Sequence, residues 1–176
     1  MNHLIFRTDR IGDFLITSSL IMSIKRNDIN SKIFIVASNK NEDFIKKYNL
    51  VDKVFLLRSK SIFDRIRLLL ELRKYKFDNI IIADKKNRSI IFALLLNSES
   101  KIFNVSKKFQ KNILSVFYKK VFIDNDENKK ESVKDILSEN CKCLNLNLEE
   151  KDFHYLKPNQ FKNEYNHSGF LNLENL

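Results

Sequence analysis

The residue type and position with the clearest chemical use is Asp13, which lies where a short apolar run gives way to a helical pattern. The run Leu4–Phe6 is followed by a polar turn at Thr8–Arg10 and then by Gly12, one of only two glycines in 176 residues. This order predicts a strand, a tight loop and a helix, and α/β proteins bind ligands at such strand ends and helix N-termini. A carboxylate there can accept the proton of a substrate hydroxyl as that hydroxyl attacks an electrophile.

A structural role for the same carboxylate is the alternative. An Asp at the start of a helix accepts hydrogen bonds from free backbone N–H groups, which stabilises the helix by about 1 kcal/mol. The two roles are compatible. In a chain so poor in glycine, Gly12 is expected where a side chain would not fit. The loop carries neither the G-x-G-x-x-G pattern nor a P-loop, so it disfavours NAD-dependent hydride transfer.

A second polar group follows the most regular apolar strand of the chain, Phe77–Ala83. Asp84 ends that strand, and Lys85, Lys86 and Arg88 lie in the loop after it. Cations in such a loop suit the phosphates or carboxylates of a substrate. Solvated surface charges are the alternative.

The composition indicates one globular domain, and its charge is compatible with an anionic partner. The chain is 43% hydrophobic and carries a net charge of +10. This charge supports association with a phosphorylated substrate, a membrane face or a nucleic acid without choosing among them, and a Lys-rich solvated surface is the alternative. The two cysteines, Cys141 and Cys143, lack the second pair that a metal site needs, so we expect buried or incidental thiols.

The N-terminal residues do not have the basic and long apolar regions of a signal peptide. The longest apolar run, Ile90–Leu96, is far shorter than the roughly 20 residues of a membrane-spanning helix. A cytoplasmic protein is expected, and a peripheral position at a membrane stays open.

Alternating β-rich and amphipathic segments predict βαβ units. Strands are expected at 4–6, 32–37, 51–57, 77–83 and 101–103, and helices at 14–27, 39–48, 61–75, 88–96 and 131–144. A mixed pattern covers 109–121, and 122–123 are expected to form an end to it in extended conformation. Right-handed crossovers then give a parallel sheet with helices on both faces, a Rossmann-like α/β domain. We expect this domain to cover residues 1–150, with 151–176 as a linker or frayed tail.

Four segments of the chain carry a resemblance to a known family. They are L-I-F-R-T-D-R-I-G-D-F-L-I-T-S-S-L, K-I-F-I-V-A-S, Y-N-L-V-D-K-V-F and F-D-N-I-I-I-A-D, the last with Arg88-Ser89 downstream. Their order and spacing resemble the N-terminal half of glycosyltransferase family 9, the ADP-heptose:lipopolysaccharide heptosyltransferases and their relatives. The D-R-I-G-D segment before an apolar helix is the most specific part, and the resemblance covers residues 1–148.

The resemblance implies a GT-B fold, in which two Rossmann-like domains enclose a cleft. The N-terminal domain of the family binds the acceptor, a lipid A–inner core saccharide, and the C-terminal domain binds a nucleotide sugar such as ADP-heptose. The transfer inverts the anomeric centre without a metal or other cofactor. The family's general base corresponds to Asp13. The substrate-binding residues that the resemblance suggests are Thr8, Asp9, Arg10, Gly12, Lys85 and Arg88.

Two departures from the family pattern shape the expectations. The family's glycine is absent from Lys101–Val105, where Asn104 can adopt a left-handed conformation instead. The chain also stops where the nucleotide-sugar domain is expected. We therefore expect no turnover from the chain alone, a separate chain carrying the second domain as a partner, and an anionic glycolipid acceptor at the inner membrane face.

Two other hypotheses remain open at this point. The first is a non-catalytic, basic Rossmann-like module that binds an anionic partner. Nucleic acid is disfavoured as that partner, because no nucleic-acid-binding motif or aromatic stacking platform is visible. The second is a degraded remnant that folds poorly.

Overall fold

The computed structural model of the protein describes residues 1–58, 61–84, 86–106, 120–124 and 133–153. Within these residues, six parallel strands form one sheet in the order β3-β2-β1-β4-β5-β6. The strands are β1 (Asn2–Phe6), β2 (Lys32–Ala37), β3 (Lys53–Leu56), β4 (Phe77–Ile82), β5 (Ser98–Ser106) and β6 (Lys120–Asp124). The central pairing of β1 with β2 and β4 places the loop after β1 in the middle of the carboxyl edge.

Helices connect the strands in the described part of the chain. They are α1 (Ile11–Asn27), α2 (Glu42–Lys46), α3 (Ile62–Leu72), α4 (Asn87–Leu95) and α5 (Val133–Cys143), followed by a 3-10 turn at Glu150–Phe153. None of these helices combines the length and apolar content needed to cross a membrane.

The helices form two layers because successive side chains of a strand point to opposite faces of the sheet. On β1, Leu4 and Phe6 pack in the same cluster as residues of α3 and α4. Between them, Ile5 packs in the cluster that holds residues of α1, α2 and α5. We call these the α3–α4 layer and the α1–α5 layer. The predicted α/β fold with helices on both faces of a parallel sheet is confirmed.

The element bounds differ from the sequence prediction at two informative places. Helix α1 begins at Ile11, three residues before the predicted start, so Gly12 and Asp13 belong to its first turn. Strand β5 starts at Ser98 rather than residue 101, because its backbone pairs with β4 from Phe77 onward. Backbone hydrogen bonds need no apolar side chains, so a polar stretch can still complete a parallel ladder.

Two predicted regions fall wholly or partly outside the described residues. The mixed pattern at 109–121 is described only from residue 120, where β6 begins, and the extended conformation predicted for 122–123 is confirmed. Residues 154–176 lie outside the described part, so the linker or tail stays a prediction. Residues 151–153 belong to the 3-10 turn, in which Asp152 is buried.

Candidate functional site

The candidate site lies at the carboxyl edge of the sheet, where the loops after β1, β2 and β4 meet. The backbone N–H of Arg7 donates to Val36 O at 3.0 Å, and that of Ala83 donates to Phe6 O at 3.0 Å. The parallel ladder therefore continues past the end of β1 on both sides. The loop at 7–10 starts from a fixed position between β2 and β4.

Asp13 is the third residue of α1, and its side chain is partly exposed. One carboxylate oxygen, Oδ2, accepts a hydrogen bond from the backbone N–H of Arg10 at 3.2 Å. Arg10 is the N-cap residue, so the prediction that Asp13 itself is the cap is off by three positions. Asp13 instead performs the returning half of a capping box, and its negative charge suits the positive end of the helix dipole.

Gly12 is the second residue of α1 and is exposed. A Cβ built at this position would meet no atom within 4 Å. The expectation that Gly12 sits where a side chain would not fit is therefore wrong for contacts inside the protein. The space around Gly12, over the start of the helix and next to Asp13, is therefore open.

Thr8 is the hub of a buried network that ties the β1 loop to the β4 loop. Its hydroxyl donates to Asp84 Oδ2 at 2.5 Å. The same hydroxyl accepts from Lys86 Nζ at 3.1 Å and from the Arg88 guanidinium at 3.1 Å. A hydroxyl has one donor and two acceptor positions, so all three are occupied. A substrate contact by Thr8 would have to replace one of these bonds.

Asp84 holds the other side of this network and is only 6% exposed. In addition to Thr8, it accepts from the Ser89 hydroxyl at 2.8 Å and from the backbone N–H of Lys86 at 3.2 Å. Lys86 Nζ also donates to the carbonyl oxygen of Thr8 at 2.9 Å. Hydrogen bonds from several donors hold a buried carboxylate in one position. The network therefore fixes two cations, Lys86 and Arg88, beside the end of β1.

A second network fixes the start of the loop. The guanidinium of Arg7 donates to Asp9 Oδ2 at 3.1 Å and to Thr17 Oγ1 on α1 at 2.7 Å. The carbonyl of Arg7 accepts from the side-chain amide of Asn41 at 2.9 Å. The loop is thus bonded to α1 and to the turn after β2.

The structure brings some of the predicted site residues together. Thr8 and Arg88 are in direct contact, and Arg10, Gly12 and Asp13 share the exposed start of α1. Asp9 is partly buried against Arg7, and its Oδ1 has no hydrogen-bond partner among the described residues. The remaining predicted residue, Lys85, lies outside the described residues.

Sequence reasoning missed three residues that shape the site. Arg7 directly follows β1, Asn41 follows β2, and Ser89 lies in the first turn of α4. Arg7 and Ser89 could have been found from their places beside predicted strand ends and helix starts. Asn41 could not, because its contact with the β1 loop depends on the pairing of β1 with β2.

Cys141 is not a candidate nucleophile. It is 1% exposed, and burial raises the pKa of its thiol to about 11. The reactive form of cysteine is the thiolate, which such a pKa suppresses at neutral pH. Cys141 is buried and Cys143 is half-buried, and neither forms a disulfide bond.

No family model matches the chain. In sequence, the chain is 25% identical over 126 residues to lipopolysaccharide heptosyltransferase 1 of Campylobacter coli, which covers 70% of this chain and 37% of that protein. The chain therefore spans less than half the length of this curated relative.

Solved structures share the fold. The E. coli heptosyltransferase WaaC with ADP-2-deoxy-2-fluoro heptose matches with a TM-score of 0.71 and 17% identity, covering 88% of this chain and 52% of that one. A glycosyl transferase family 9 protein from Veillonella parvula matches with a TM-score of 0.65 and 14% identity, covering 83% and 41%. The chain thus spans about half the length of the structures that it matches.

These relatives confirm the resemblance indicated by the sequence motifs. The chain is similar to heptosyltransferases and shares the α/β fold of their GT-B structures, and the partial coverage fits the N-terminal domain.

Proposed function

Because the chain is similar to lipopolysaccharide heptosyltransferases along most of its length, we propose that it forms the acceptor-binding half of a glycosyltransferase. The observation that carries this proposal is the position of Asp13. Its partly exposed carboxylate lies at the carboxyl edge of the central strand, at the end where α/β folds bind ligands. The substrate is a saccharide of the lipopolysaccharide core or a related envelope glycan, and the donor is a nucleotide sugar.

In the proposed reaction, a hydroxyl of the acceptor attacks the anomeric carbon of the donor sugar. The new carbon–oxygen bond forms as the bond to the nucleotide diphosphate breaks, and attack from the opposite side inverts the anomeric centre. The proton of the acceptor hydroxyl moves to the carboxylate of Asp13. A second structure of the E. coli heptosyltransferase WaaC, which also matches this chain, contains ADP. We assign donor binding to a second domain, supplied by a separate chain or by further sequence.

The surroundings of Asp13 support a saccharide with anionic groups. Arg10 is exposed one turn before Asp13, and Lys86 and Arg88 are held beside the neighbouring strand end by Thr8. Cations fixed by a buried network lose little conformational freedom on binding, which favours phosphate or carboxylate recognition. The open space above Gly12 leaves room for a sugar ring close to the helix start.

The experiment joins this chain to the nucleotide-sugar-binding half of the E. coli heptosyltransferase WaaC. Transfer from ADP-heptose to a lipid A–inner core saccharide is then measured. The E. coli enzyme, cut and rejoined at the same junction, serves as the positive control. Loss of a general base lowers turnover by a factor of about 10²–10⁴, and Asp13→Asn should show a loss in this range.

The choice of substitution separates the catalytic role from the capping role. Asn keeps an oxygen that can accept the bond from the Arg10 N–H but cannot take a proton, whereas Ala loses both functions. Asp13→Asn should therefore unfold at nearly the same urea concentration as the unsubstituted chain, and Asp13→Ala should lose about 1 kcal/mol.

Asp43→Asn is the matched control for this experiment. Asp43 is an exposed carboxylate in the first turn of α2, which also starts from the carboxyl edge. Full turnover in the Asp13→Asn fusion would contradict the base assignment. No transfer by the unsubstituted fusion, with an active positive control, would contradict the proposed function.

Gly12→Ala gives a second test, because its effects on folding and on binding have opposite signs. The helix tolerates the added methyl group, which meets no atom, and Ala is the better helix former by up to about 1 kcal/mol. A saccharide that approaches this surface closely would be hindered. Weaker acceptor binding in a chain of equal or greater stability, measured by titration calorimetry, supports the site. Unchanged acceptor binding would place the saccharide elsewhere.

A further inference from the structure

The outer surface of α3 has an unusual composition. Among residues 62–74, the exposed positions carry only apolar and cationic side chains. Phe63 is 79% exposed, Ile62 65% and Leu70 55%. We call this set the basic–apolar face of α3, and it consists of Ile62, Phe63, Ile66, Arg67, Leu70, Arg73 and Lys74.

The neighbouring helix of the same layer extends the apolar part of this surface. The guanidinium of Arg73 donates to the carbonyl of Leu95 at 3.2 Å, which joins the end of α3 to the end of α4. Ile91 and Leu95 are exposed on α4. Of the nine large hydrophobic side chains exposed in the described residues, six lie on these two helices.

Two acidic residues of α3, Asp64 and Glu71, adjoin the basic–apolar face, and Glu71 lines its groove. Asp64 and Glu71 are both partly buried. Glu71 forms an ion pair with Lys53 at 3.2 Å, which offsets its charge. A shallow groove of about 510 Å³ runs along the helix. Its lining consists of Phe63, Ile66, Arg67, Leu70, Glu71 and Lys74.

From this arrangement we propose that the basic–apolar face of α3 binds the surface of a bilayer containing anionic lipids. A helix that lies in the membrane interface buries an apolar stripe at the headgroup boundary while flanking Lys and Arg residues contact anionic headgroups. The seven side chains of the basic–apolar face provide both parts, and Glu71, the acidic residue in the groove, is paired with Lys53. The chain as a whole, with a net charge of +10, is drawn to the same surface.

Charge favours the lipid surface over a second copy of this chain. A twofold interface would place the cations of one face against the same cations of its partner, which is unfavourable without intervening acids. An anionic bilayer supplies the missing negative charge and an apolar phase for Phe63 and Leu70.

The position of α3 also relates the lipid surface to the candidate site. Because α3 follows β3 of a parallel sheet, its first residues, Ile62 and Phe63, lie toward the carboxyl edge. Asp13 belongs to the same edge. Contact with lipid through the start of α3 would bring this edge toward the membrane, where a lipid-anchored saccharide is found. This consequence rests on the proposed function, but binding to the bilayer does not.

The test is flotation of the full chain with phosphatidylcholine vesicles that contain or lack phosphatidylglycerol. The chain should float with the anionic vesicles, not with the neutral ones, and should be released by high salt. Phe63→Ser combined with Leu70→Ser should lower the partition coefficient roughly tenfold, since it removes two inserted side chains. Arg67→Gln combined with Lys74→Gln should lower it by roughly fivefold for each charge.

Two matched variants serve as controls. Ile29→Ser replaces an apolar side chain that is 72% exposed between α1 and β2. Lys32→Gln with Lys40→Gln removes two exposed charges away from α3. Both should bind nearly as well as the unsubstituted chain. All variants should melt at similar temperatures, because the replaced side chains are exposed.

Three outcomes would overturn the proposal. They are undiminished binding after the Phe63 and Leu70 substitutions, an equal loss in the Lys32 and Lys40 control, and lipid-free self-association that depends on Phe63. The last would make the face an interface between copies. Vesicle binding without sugar transfer would contradict only the proposed function, and sugar transfer without vesicle binding would contradict only this inference.

Discussion

The two helical layers of this protein differ in which side chains their helices bury and which they expose. In the α1–α5 layer, helix α1 buries small polar residues along with its apolar ones. Its buried hydroxyl side chains are Thr17, Ser18, Ser19 and Ser23. In the α3–α4 layer, helix α3 buries only Leu68 and Leu72 and exposes several large apolar side chains.

The cause of this difference is that α1 has neighbours on more than one side. Helix α5 and the 3-10 turn pack against it, while the sheet lies beneath. Small side chains allow such close packing. The hydroxyls of Thr17, Ser18 and Ser23 donate to backbone carbonyls, as Ser18 Oγ does to Leu15 O at 2.6 Å. An amphipathic pattern therefore marks a helix with one packed side, whereas a helix covered from two sides loses the pattern.

The largest expected effect on the free energy of unfolding comes from one of two leucines on α3, in the α3–α4 layer. Leu72 is fully buried, and Leu70 is 55% exposed. Leu72→Ala should lower the free energy of unfolding by about 3 kcal/mol, through lost burial and a cavity. Leu70→Ala should change it by less than about 0.5 kcal/mol. Urea unfolding of both variants measures the contrast, and a similar loss in both would mean that α3 is covered on its outer side.

The next effect concerns the ion pair between Arg26 and Asp152, which joins α1 to the 3-10 turn in the α1–α5 layer. Asp152 is 1% exposed and accepts from Arg26 Nε at 3.1 Å and Nη2 at 2.9 Å, and from the backbone N–H of Glu149 at 2.9 Å. Asp152→Ala leaves these donors without their acceptor. Because Arg26 is partly exposed to water, we expect a loss of about 2 kcal/mol rather than the larger cost of a fully buried pair.

The i,i+4 pair between Glu42 and Lys46 on α2, in which the lysine is exposed, provides the control for this ion pair. Glu42→Ala should cost no more than about 0.5 kcal/mol by urea unfolding. Hydrogen exchange should also show faster exchange at the 3-10 turn in Asp152→Ala. Equal losses of unfolding free energy in the two variants would mean that the Arg26–Asp152 pair stabilises the protein no more than the Glu42–Lys46 pair does.

The third effect is a pH dependence that tests the burial of His3 on β1. His3 is 3% exposed, and burial, followed by the nearby N-terminal ammonium group, lowers its pKa to about 4. The unfolded chain, with a His pKa near 6.5, binds more protons between these values, so stability falls as the pH drops from about 6.5 toward 4. The expected loss by pH 5 is about 2 kcal/mol.

Comparison with His3→Gln isolates this contribution, because the other titrating groups are common to both chains. Denaturant unfolding at pH 7.5 and pH 5 should show a smaller loss for the variant. Identical losses in the two chains would show that His3 is accessible to protons in the folded state.

Much of the fold follows from local patterns in the chain. The apolar runs at β1, β2 and β4 predict buried parallel strands because both faces of these strands are covered by helices. The motif order around Asp13 predicts the similarity to heptosyltransferases that the relatives confirm. The extra length of β5 was not predicted, because its first residues are polar and join the sheet through backbone pairing with β4.

The candidate site was predictable only in part. Local sequence indicates that Asp13 and Gly12 lie at a helix start, since strand, turn and helix signals lie within a few residues of each other. Local sequence does not indicate that Thr8 binds Asp84, because 76 positions separate them. It also places no constraint on the space around Gly12, which depends on what else packs near the helix.

By itself, the sequence determined the succession of strands and helices, the excess of positive charge and the motif that resembles a glycosyltransferase family. These properties depend on side-chain periodicity, composition and short spacings. Only the tertiary structure decided which cations are held by Thr8, that α1 is covered from two sides, and that the exposed surface of α3 is both apolar and basic. The physical reason is that burial and hydrogen-bond partners depend on which distant segments the sheet brings together.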